Sequence, residues 1–133
     1  MSQRRLLYIL SIFNAAINTI YSIRFFGILP PAPVVYGYVP WFMSFALPNI
    51  TFTLIAWLLV YALIKKSDKL AIIVGFINAG GLIFHALNGL MFGIYTGFLR
   101  EITFNGIFEI IVYVYGLALA TFYIAQFSQK VKD

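Results

Sequence analysis

Cysteine is absent from this chain of 133 residues, which excludes disulfides, thiolate metal ligands, iron–sulfur clusters and thiol redox chemistry. Acid is scarce as well, with four Asp and Glu against nine Lys and Arg. Histidine occurs once, as His85, so the chain alone cannot supply the two axial imidazoles of a bis-histidine haem. His85 with Glu109 gives two candidate metal ligands, short of the three protein ligands a catalytic metal site ordinarily uses. No serine has a histidine and an acid placed for nucleophilic attack, and no phosphate-cradling or dinucleotide-binding glycine loop occurs. The expectation is a chain that is not an enzyme on its own and binds no cofactor by itself, with lipid as its standing companion.

Charge of either sign is thin: 10% of residues are charged and 62% apolar, against roughly 25% and 45–50% in soluble domains. Four long apolar runs take up the chain instead, at about 6–28, 41–64, 70–95 and 104–127. Each is longer than the ~20 residues a helix needs to cross a hydrocarbon core at 1.5 Å rise per residue. The reading is an all-α membrane protein: one membrane domain over 1–133, a bundle of four transmembrane helices with antiparallel neighbours.

The bases set the predicted orientation. With four spans, Arg4, Arg5, Lys65, Lys66, Lys69, Lys130 and Lys132 share one side, and only Arg24 and Arg100 fall on the other. The positive-inside rule then puts both termini in the cytoplasm of a cell or inner membrane. Because the bases flank spans in this way, their excess is no nucleic-acid footprint, and no nucleic-acid partner is expected. The first span has the outline of a signal peptide, with Arg4 and Arg5 before Leu6 to Phe13 and then Ala15 and Ala16. Its apolar stretch runs on well past such a site, so it is expected to stay uncleaved.

Between the first two spans, residues 27–40 carry Pro30, Pro31, Pro33 and Pro40, a density that excludes helix and favours extended backbone. Tyr36, Tyr38 and Trp41 suit the interfacial belt, so this external loop is expected to cap the outer membrane surface. Pro48 predicts a kink in the second span, with Asn49 and Thr51 beside it to re-satisfy freed backbone groups. In the third span Gly81, His85, Gly89, Gly93 and Gly97 recur every fourth residue. Such a stripe lets another helix approach closely, either within the bundle or in a different subunit.

Ionisable groups at membrane depth need partners or a function. Counted from the cytoplasmic end, His85 lies about 22 Å deep, and Glu109 about 8 Å below the outer end of the fourth span. Arg24, Asn88 and Asn105 fall at a similar outer level, which predicts a buried polar cluster of Arg24, His85, Asn88, Asn105 and Glu109. An Arg24–Glu109 ion pair is the structural reading of this cluster. Asn14 and Asn18, with Ser11 and Ser22, form a polar stripe on the first span, and Asn78 shares a face with His85.

Three functions are compatible with this pattern. The first is a non-catalytic subunit of a larger membrane complex, for example of respiratory or oxidase type, docking other transmembrane subunits. The second is a small proton-coupled transporter or channel acting as a homo-oligomer, with Glu109 as coupling carboxylate. The third is a binding module for a lipid-soluble molecule such as a quinone, with His85 gripping the head group.

Overall fold

The computed structural model describes residues 3–24, 46–97 and 104–132. The proline-rich loop and the 98–103 connection, with Arg100, lie outside the described residues. Four helices account for nearly all of the rest: α1 (Gln3–Arg24), α2 (Ala46–Ile64), α3 (Asp68–Thr96) and α4 (Phe104–Lys132). All four are long and apolar enough to cross a membrane. Their limits differ somewhat from the apolar runs, since the polar ends Gln3–Arg5 and Ser128–Lys132 are helical too. The helix criterion is backbone hydrogen bonding, which polar residues satisfy at a membrane surface as well as apolar ones do within it.

On α1 polar side chains are sheltered while large apolar ones stand outward, unlike on a soluble helix. On α1, Ser11 and Asn14 are each 1% exposed, while Phe13 and Ile20 are each 53% exposed. Large apolar side chains also stand outward on the other spans, among them Leu54, Ile77, Leu87 and Val114. In water such a surface would be costly; against hydrocarbon it costs nothing, and the polar groups are the ones that need shelter.

The chain forms two compact units, Met1–Asn78 and Ala79–Asp133, with α3 contributing to both. In the first unit α1 packs on α2 through small side chains. Ala15, Ala56 and Val60 are buried together, with Tyr8 and Ile12 packed against them. Alanine at the contact brings the two backbones close enough for hydroxyls and carbonyls of opposite helices to meet.

The α2–α3 turn is a hydrogen-bonded motif. Lys66 adopts the left-handed conformation at φ 56°. The Lys66 amide donates to Leu63 O (3.3 Å) and the Ser67 amide to Ala62 O (3.0 Å), which satisfies the last carbonyls of α2. Ser67 then opens α3 by accepting from the Ala71 amide at 2.9 Å, and Asp68 sits in the first turn, where a negative charge suits the helix dipole. Pro48 is the third residue of α2; the carbonyl on which a kink would turn, that of Ser44, lies outside the described residues.

In the second unit the ring of Tyr113 on α4 lies against Gly89 of α3, and a Cβ at Gly116 on α4 would come into van der Waals contact with Leu82. Lower on α4, Tyr123 and Phe127 are fully buried, their rings 6.0 Å apart and tilted by 50°.

Candidate functional site

The stripe of polar side chains on α1 becomes one edge of a hydrogen-bonded seam joining α1, α2 and the start of α3. Asn78, 0% exposed, is its centre. Its amide donates to Val74 O on its own helix (3.0 Å) and to Ile55 O on α2 (3.2 Å). Its carbonyl oxygen accepts from Asn14 Nδ2 on α1 at 3.5 Å. Both protons and the acceptor of one side chain are therefore committed to three helices. Asn18 continues the seam, donating to Asn14 O (2.8 Å) and Asn14 Oδ1 (3.0 Å).

A hydroxyl pair extends the seam towards the C-terminal end of α1. Ser22 Oγ and Thr53 Oγ1 are 2.7 Å apart. Thr53 also reaches Asn18 O at 3.0 Å and Asn49 O at 2.9 Å. A hydroxyl has one proton, so Thr53 shares it between those two carbonyls and Ser22 is the donor in the hydroxyl pair. At the periphery, Trp57 Nε1 donates to Thr19 Oγ1 (3.0 Å), which itself donates to Ala15 O (2.8 Å). Ser11 closes the stripe by donating to Leu7 O at 2.8 Å.

These amides and hydroxyls do not titrate in the physiological range, and their protons are committed to carbonyls and to one another. The seam is suited to holding helices at fixed register and depth, not to carrying protons. Interhelical hydrogen bonds of this kind contribute on average ~0.6 kcal/mol each in a membrane, so their number matters more than any one of them.

The predicted ionisable cluster is placed only in part. The side chains of Arg24, Asn105 and Glu109 lie outside the described residues, so their partners do not enter the description. His85 is half-buried on α3, its ring edge-to-face with that of Phe84 at 6.3 Å and 77°. Asn88, one turn further on, donates to Phe84 O at 2.9 Å and so spends a donor on its own helix. Among the described residues no group of three or more His, Cys, Asp or Glu could hold a metal ion.

The glycine stripe has different surroundings along its length. Gly89 and Gly93 are buried and Gly81 partly so. At Gly89 a Cβ would overlap the Tyr113 ring. Gly97 lies just beyond α3 at φ 74°, with nothing near the position of a Cβ, and its amide donates to Ile94 O at 3.3 Å. Its role there is to end the helix in a conformation that glycine adopts without steric cost.

Sequence reasoning found Ser11, Asn14, Asn18 and Ser22 as a stripe but missed Thr53 and Trp57, and it gave Asn78 no partner on α1 or α2. Thr53 does lie one turn after Asn49 and one before Trp57, a weak polar line on α2 that could have signalled the facing edge. No protein-family model, curated protein or solved structure matches the chain.

Proposed function

We propose that this protein is a non-catalytic integral-membrane subunit of a larger membrane complex, for example of respiratory or oxidase type, and that it docks and steadies neighbouring transmembrane helices. The observation that carries this reading is the Asn78 seam. The buried polar groups around it are spent on internal register, which suits a rigid scaffold better than a transport path. The outward surface fits the same role: Leu54, Ile77, Leu87 and Val114 stand exposed on α2, α3 and α4, open to lipid or to other helices.

The proposed architecture is four spans with antiparallel neighbours and cytoplasmic termini. Support for the antiparallel arrangement comes from paired contacts that run in opposite senses. Ser22 meets Thr53, Thr19 meets Trp57, and Tyr8 and Leu63 line one cleft, so positions fall along α1 as they rise along α2. The tight Lys65–Ser67 turn with the Asn78–Ile55 bond supports the same for α2 and α3. Support for orientation comes from the seven bases assigned to one side.

The test is gentle detergent extraction followed by native mass measurement with identification of co-purifying chains. The expected result is a particle containing other transmembrane chains. A monodisperse particle holding one copy of this chain and detergent would overturn the subunit reading.

A further inference from the structure

At the end of the first unit opposite the Ser22–Thr53 pair, α1 and α2 leave a half-open cleft of about 260 Å³ lined by Arg4, Arg5, Tyr8 and Leu63. We propose that this cleft binds the phosphate of an anionic phospholipid head group.

The lining divides by chemistry. Arg4 brings a guanidinium fork, which matches the paired oxygens of a phosphate in a way an ammonium cannot, and Arg5 adds positive charge beside it. Tyr8 and Leu63 offer apolar surface, suited to the glycerol and the first methylenes of an acyl chain. The position along the chain matches this division. Arg4 and Arg5 immediately precede the apolar run of α1, and Leu63 is the penultimate residue of α2, so the cleft falls where hydrocarbon gives way to head groups. That amphipathic lining at that depth favours a lipid over a soluble phosphate.

The surrounding charge favours an anion. Lys65, Lys66 and Lys69 follow directly on α2, and Asp68 is the only acid in the first 78 residues. Lys65 holds its ammonium 5.9 Å from the centroid of the Tyr61 ring. The inference rests on the membrane reading of the helices and is independent of whether the chain joins a complex.

The test is the thermal midpoint of the purified protein in neutral detergent, titrated with dioleoyl phosphatidylglycerol, dioleoyl phosphatidylcholine or inorganic phosphate. Phosphatidylglycerol is expected to raise the midpoint saturably, and the other two to leave it unchanged. Arg4→Lys keeps the charge but removes the fork, and is expected to weaken the apparent affinity about tenfold. Leu63→Trp fills the cleft without touching a base and is expected to abolish the shift, which keeps the test available if the arginine variant fails to fold. Lys65→Gln with Lys66→Gln removes charge outside the cleft and is expected to cost less than the charge-preserving arginine change.

Undiminished affinity in both the arginine variant and Leu63→Trp would overturn the site and leave only general surface attraction. An equal response to phosphatidylcholine would overturn the anion requirement. Saturation by inorganic phosphate, sensitive to the same variants, would overturn the lipid assignment in favour of a soluble phosphate. A single-chain particle that still shows the phosphatidylglycerol response would defeat the subunit reading alone.

Discussion

The ring of Tyr113 occupies the space that a side chain at Gly89 would need. A Cβ at position 89 would have to displace that ring. Gly89→Ala is therefore expected to lose about 1–3 kcal/mol through overpacking, measured as unfolding in detergent. Tyr113→Ala introduced beside it should return part of that loss by vacating the space. Gly80 is the internal control: nothing lies near its Cβ position, so Gly80→Ala should be neutral or slightly stabilising. Equal losses at positions 80 and 89 would refute the contact.

Asn78 is expected to act with Asn14 as a coupled pair. Asn78→Leu removes the acceptor of Asn14 and the second donor to Ile55 O, and should cost about 1–2 kcal/mol. Adding Asn14→Leu should cost less than it does alone, because a pair of apolar groups leaves fewer polar atoms stranded. Strict additivity in this double-mutant cycle would show that the two side chains do not interact.

Lys66 holds a left-handed conformation that a Cβ disfavours. Lys66→Gly should raise stability by about 1 kcal/mol, and Lys66→Val should lower it, since β-branching makes that conformation worse. The check is the ordering of the three midpoints. A glycine variant less stable than the parent would mean the turn is not set by this residue.

The lack of cysteine makes orientation directly measurable, since any introduced thiol is the sole target. Lys69→Cys should react with a membrane-impermeant maleimide only from the cytoplasmic face, and Tyr36→Cys only from the outer face. The reverse pattern would invert the proposed topology.

Several features are legible in the sequence. The four spans follow from run length and the near absence of charge, because a helix in hydrocarbon must satisfy its own backbone and present apolar side chains around its circumference. The α1 stripe of Ser11, Asn14, Asn18 and Ser22 was visible from spacing alone. The predicted ionisable cluster rests on depth, which ranks residues by level without saying which ones face each other, and the side chains of Arg24, Asn105 and Glu109 lie outside the described residues.

Sequence by itself determined the class, the number of spans and the charge asymmetry, all of which depend on composition counted along one dimension. Tertiary structure decided which neighbour each polar group meets. It turned Asn78 to Ile55 and Asn14 and brought Thr53 to Ser22, because helix rotation and the close Ala15–Ala56 packing select the partner. It also separated two glycines of one stripe, Gly89 pressed by a tyrosine ring and Gly97 ending the helix. A four-residue spacing fixes a face; what lies opposite that face is settled only when a second helix is laid against it.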